Sequence, residues 1–200
     1  MMREFILAIF IMSLIILSTS TTMAKEPIRL VVLPVIISQN ADIGSEALDQ
    51  MNVKISRAMH IPLNGTLQKA EYISSDISCS VFQKIWSKIY KVNKKAAVKD
   101  VMKPLAAELK ADFIVCTVLY RCSQFTSMSM SLDHTDIIFS NAGVEMIIFD
   151  NRTGELINKK KSRFYRDEYS LRGTSDSLAL LCLTDLIELL KPRERMLNGA

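Results

Sequence analysis

The sequence predicts a single α/β domain in which helices pack on a mixed β-sheet of about five strands, with a β-hairpin and a C-terminal helix at its end. Three observations carry this prediction. The run IRLVVLPVII at 28–37 is aliphatic without helical gaps, the pattern of a strand covered on both faces. Between 44 and 109, apolar residues recur at intervals of three and four, as in amphipathic helices. From 111 to 165, strand-like segments follow one another, and VEMIIFDNRTGELINKKKSRFY reads as two strands around a turn. With 200 residues, 49% hydrophobic and 23% charged, the chain suits one core.

The elements follow in order. Pro34 ends or bends the first strand. A helix is expected from about Gly44 to Met59, because Ala47, Met51, Ile55 and Met59 succeed one another at steps of four. AEYIS at 70–74 is short enough for a second strand. Phe82, Ile85, Trp86 and Ile89 mark one further helix; Val98, Val101, Met102, Leu105 and Leu109 mark another, with Pro104 as a kink. ADFIVCTVLYRC at 111–122 is rich in β-branched and aromatic residues and is the central-strand candidate. TSMSMSL at 126–132 alternates with a period of two and predicts a separate half-buried strand with Met128, Met130 and Leu132 inward. In the hairpin, DNRTG forms the turn and Gly154 supplies its left-handed residue. TSDSLALLCLTDLIELLKP at 174–192 opens with cap residues and stops at Pro192, a helix that docks on the sheet.

The start of the chain differs in kind. Residues 5–17 are apolar except for Ser13, shorter than the roughly 20 residues a spanning helix needs. Small polar residues and Thr22-Met23-Ala24 follow, as at a signal-peptide cleavage site. The expected organisation is a signal peptide at 1–24, with an uncleaved anchor over 5–23 as the alternative, then the domain at 25–192 and a tail at 193–200. The protein is therefore expected to be exported, periplasmic or extracellular. In an oxidising compartment Cys79, Cys116, Cys122 and Cys182 allow three pairings. None of the pairings is dictated; if one bridge forms, Cys79 and Cys122, both near predicted element ends, are the expected pair, with Cys116 and Cys182 as buried thiols.

Composition and motifs narrow the function. The net charge of +4 is a mild bias, and no nucleic-acid-binding motif is present, so nucleic acid is not an expected partner. No cofactor motif appears, and no nucleophile elbow, zinc-protease pattern or phosphate loop accompanies His60 or His134, so an enzyme is not expected. Two sharper alternatives have specific residues: a hydrolase using His134, and a soft-metal (copper) site of Met128 and Met130 with Cys122 or His134, since thioether, thiolate and imidazole suit cuprous copper. Lys159, Lys160, Lys161 and Arg163 on the returning hairpin strand suit a sheet edge, where charge discourages unwanted pairing, or contact with an acidic protein or anionic envelope component. Those four residues, with the loop around His134, are the candidate binding residues.

Several short motifs together resemble a known family. RLVVLPV ends a first strand at Pro34, ELKADFIVCTVL leads through Ala111 and Asp112 into the central strand, and VEMIIFDNRTGELI ends a strand at Asp150, followed by Thr153, Gly154 and Glu155. This order is similar to the α/β envelope domain of the TolB amino-terminal part and of the curli-secretion (CsgG-like) and penicillin-binding-protein-activator lipoproteins. The resemblance covers most of residues 28–190. It implies an exported, non-catalytic module of the cell envelope that binds another protein or an envelope component, without cofactor.

Overall fold

The computed structural model describes residues 26–62, 69–128, 136–167 and 173–198. The strands are β1 (Ile28–Val32), β2 (Ile36–Ile37), β3 (Ala70–Tyr72), β4 (Phe113–Met128), β5 (Asp136–Asp150) and β6 (Glu155–Asp167). The helices are α1 (Ser45–Met59), α2 (Ser75–Val92), α3 (Lys99–Leu109), α4 (Ser175–Leu190) and α5 (Pro192–Asn198). All six strands form one mixed sheet in the order β3-β1-β4-β5-β6, with β2 also pairing with β4. Parallel neighbours need a long crossover and antiparallel ones only a turn, and the sequence supplies both. α1 carries β1 to β3, α2 and α3 carry β3 to β4, and β4 to β6 follow as antiparallel neighbours. The predicted α/β class holds, with the 28–37 run divided into β1 and β2 around Leu33–Val35.

Both faces of the sheet are covered. Leu30, Phe113, Val115, Leu119, Met146 and Ile148 share one core with Met51, Ile55 and Met59 of α1, Leu183 and Leu186 of α4 and Met196 of α5. Val31, Ile114, Cys116, Ile147 and Phe149 share the other with Val101, Met102 and Leu105 of α3. Adjacent strand residues thus enter opposite cores, which is why the 28–37 run lacks alternation. The buried side of α1 is Ala47, Met51, Ile55 and Met59, the face its spacing predicts.

Helix ends follow local chemistry. Thr174 caps α4, its side-chain oxygen accepting from Ser177 N at 3.2 Å. Lys191, at φ 44°, turns the chain back. The expected tail at 193–200 is instead helical over Pro192–Asn198, and Met196 is wholly buried. Pro192 fits because a first helical position needs no N–H. Pro104 is accommodated inside α3.

The hairpin turn after β5 is built by the Asp-x-x-Thr-Gly-Glu segment. Asp150 O accepts from Gly154 N at 2.8 Å, with Gly154 at φ 75°, and Thr153 Oγ1 accepts from Glu155 N at 3.2 Å. Asp150 takes Arg152 Nε at 2.9 Å and Nη2 at 2.6 Å, while the same Nη2 donates to Met196 O at 3.2 Å. Asp112 accepts from Arg29 N through its side chain and from Asn151 N through its carbonyl, each at 2.8 Å, tying the turn to β1.

β4 is longer than expected. The segment 111–122 and the start of 126–132 belong to one strand, irregular in register between Leu119 and Arg121. Tyr120 lies over Gly143 so closely that a Cβ there would sit 2.4 Å from the ring. Beyond this point β4, β5 and β6 run on together as a three-stranded extension. Met130, Leu132 and His134 lie outside the described residues.

Candidate binding surface

β6 borders the sheet over 13 residues, whereas the opposite edge, β3, has three. Strand alternation divides its basic cluster. Lys161 and Arg163 reach Asp185 of α4 at 3.6 and 2.8 Å, and Lys159, opposite Met146, lies on the same face. Lys160 points the other way, to Glu145 at 3.4 Å, with its ammonium 5.5 Å from the Tyr120 ring centre. The sequence cluster is therefore two half-clusters on opposite faces. A hydrogen bond from Arg163, reinforced by its charge and that of Lys161, holds the Asp185 carboxyl below its usual range. Lys159 makes no ion pair among the described residues.

The extension carries an aromatic row that sequence spacing does not reveal. Phe125 pairs with Phe139 in register, and Phe164 sits opposite Asn141. Phe125 and Phe139 stack with centres 5.0 Å apart, and Phe164 lies 6.2 Å from Phe139. The Arg166 guanidinium lies 5.5 Å from the Phe139 centre. Phe125 is 55% and Phe164 63% exposed. Large apolar side chains so exposed on one face mark an interaction surface more than a packing site. The three phenylalanines come from three strands, so only the register unites them; a search for aromatic residues within predicted strands is the one sequence signal for them.

The other candidate residues do not gather into a site. All four cysteines are free thiols. Cys122 belongs to the core beneath α4, while Cys79 lies beside Cys116 on the opposite face, so the expected Cys79–Cys122 bridge is not formed: the sheet separates its partners. Burial pushes the Cys116 thiol far up and raises Cys122 and Cys182 as well. Cys122 Sγ lies 3.8 Å from Asp176 Oδ1, and among the described residues no three His, Cys, Asp or Glu side chains converge as metal ligands. Met128 ends β4 six positions beyond Cys122, about 20 Å along an extended strand and too far for a shared ion. His60 follows α1, its carbonyl accepting from Arg193. Open grooves among the described residues include ones of about 240, 870 and 320 Å³; that of about 870 Å³ lies along α1, lined by Glu46, Asp49, Lys54 and Arg57, and these three have no His or Cys in their lining.

Fold and surface together define a single-domain α/β protein with a two-sided core and an aromatic, basic outer strand. No family model matches the chain, and no curated protein matches it. Among solved structures it is similar to the hypothetical protein CT253 from Chlamydia trachomatis, at 16% identity and TM-score 0.40, over 83% of this chain and 96% of that one. It is similar also to lipoprotein GNA1162 from Neisseria meningitidis, at 12% identity and TM-score 0.35, over 86% and 99% of the two chains. The LpoB C-terminal domain from Escherichia coli is similar at 14% identity and TM-score 0.34, over 72% and 88%. These are partial likenesses of shape, and no role passes from them to this chain. No helix among the described residues is long and apolar enough to cross a membrane.

Proposed function

We propose that this chain is an exported, non-catalytic binding protein of the cell envelope, and that it holds a protein or an anionic envelope component through the outer end of its sheet. The observation that carries this reading is the aromatic row of Phe125, Phe139 and Phe164 at the open strand β6, with Phe125 and Phe164 exposed. Covering a phenylalanine completely stabilises a contact by about 1.5–3 kcal/mol, so two that are half exposed contribute roughly 2–3 kcal/mol together on docking. The cations of β6 add attraction for a negatively charged partner and speed encounter. The leader-like residues 1–24 support export.

A photo-crosslinking residue in place of Phe164 tests the reading in envelope preparations of the producing organism. A discrete adduct is expected at position 164, lost when Phe125 is changed to Ser, and not formed from Val53, which is 47% exposed on α1. Identical adducts from both positions, or none from 164, would sink the proposal.

A further inference from the structure

An edge strand turns the N–H and C=O of every second residue away from its sheet, ready to pair with another extended chain. β6 does this over 13 residues, about 40 Å at roughly 3.3 Å per residue, and no strand among the described residues pairs with its outer side. Its side chains decide which chain fits. β6 has five basic residues, Lys159, Lys160, Lys161, Arg163 and Arg166; its two acidic ones, Glu155 and Asp167, stand at its ends. A second copy of β6 would set cations against cations across the new ladder, which is destabilising, whereas an acidic strand reverses the sign at each pair. Among the described residues, the domain's own acids leave part of this demand open. Asp185 serves both Lys161 and Arg163, Glu145 serves Lys160, and Lys159 has no ion pair among the described residues.

Apolar contacts flank the same edge on both faces. Leu181 and Leu189, 46% and 65% exposed, lie one turn before and after Asp185 on α4, so all three share a helix face. On the opposite face stand Phe164 and Leu156, 63% and 39% exposed. Either row of side chains on an added strand therefore meets both a cation and an apolar neighbour.

We infer that β6 takes up an extended acidic segment of a partner protein as a further strand of the sheet. This rests on the binding role proposed above and names the chemistry of its partner. The backbone ladder supplies affinity, and the alternate side chains supply selection.

The probe is a fluorescein-labelled peptide of about ten residues, matched to the edge, alternating Glu with Val and Thr. Fluorescence anisotropy is read with the chain from Lys25 onward. This peptide is expected to bind, and to protect β6 amides from hydrogen exchange. A peptide of equal charge with Pro at three alternate positions cannot complete the ladder and should bind at least about tenfold more weakly. Lys in place of Glu should abolish binding, and Lys159→Glu in the protein should weaken it several-fold, most at low salt. Equal binding of the Pro peptide would overturn strand addition by reducing the effect to charge, and equal binding of the Lys peptide would overturn the acidic partner. If no peptide binds while the Phe164 adduct still forms, strand addition is wrong and the binding role stands. If the acidic peptide binds while position 164 forms no adduct, the aromatic binding role proposed above is lost and strand addition stands on the peptide measurements alone.

Discussion

Replacing Arg152 by Met removes the side-chain partner of Asp150 while keeping an apolar stem beside Phe113, whose ring centre lies 6.0 Å from the guanidinium. Three hydrogen bonds are lost: two charge-assisted ones to Asp150, at 2.9 and 2.6 Å between side chains only 20% and 11% exposed, and a longer one to Met196 O at 3.2 Å. At about 1.5 kcal/mol for each of the first two and about 1 kcal/mol for the third, these amount to about 4 kcal/mol. Arg152 Nη1 is buried without a partner among the described residues, and removing it returns about 1 kcal/mol, leaving a net loss of about 3 kcal/mol. With a urea slope of about 2 kcal/mol/M, the denaturation midpoint at pH 7 should fall by about 1.5 M, read by circular dichroism. The sign of the pH dependence follows from Asp150. Burial alone would raise its carboxyl, but the hydrogen bonds and charge of Arg152 override this and hold it below the usual range. A depressed folded-state pKa stabilises above the unfolded value, about 3.9, and that contribution is lost as pH falls through the folded value. The gap between parent and variant should therefore narrow below about pH 4. A midpoint shift under about 0.3 M at pH 7, or one unchanged at pH 3, would refute the reasoning.

Leu183→Ala, at a fully buried position, should cost about 2–5 kcal/mol in urea denaturation, and Leu189→Ala, 65% exposed, no more than about 0.5 kcal/mol. Gly143→Ala forces Tyr120 off the strand and should cost about 1–2 kcal/mol; a double-mutant cycle should find the cost abolished in a Tyr120→Ala background. Maleimide labelling of the native chain should modify Cys79 first, with Cys116, Cys122 and Cys182 protected until urea unfolds it; early labelling of Cys116 would contradict the two-sided core.

The elements most legible in sequence were those whose pattern repeats a single environment. α1 has one buried face, so four residues at steps of four defined it. The 143–165 hairpin was readable because its turn chemistry is local, from Asp150 to Glu155. β4 was harder: its first half lies between helices and its second half in the exposed extension, so hydrophobicity changes along one strand and suggests two. Helix α5 is hard to see in the sequence because Pro192 signals both the end of α4 and the first residue of α5, and Met196 alone marks burial. At the candidate surface, Lys159 to Arg163 announced an edge, but strand alternation assigns them to two faces. The aromatic row depends on pairings and ring contacts between residues 14 to 25 positions apart, which no local pattern records.

The strand order also bears on the route to the folded state. β4, β5 and β6 are consecutive and close through short-range contacts, whereas β1 finds Asp112 and β4 across 83 positions of chain. Loop closure makes the long-range pairing the slower event, so the meander assembles while β1 and β3 are still free. The folding chain would then pass through a stage with open strands at both sides of a partial sheet. The lysines of β6 guard one side from the outset, and arrival of β1 protects the other. Strand order thus ties the charge of the final edge to the survival of the incomplete one.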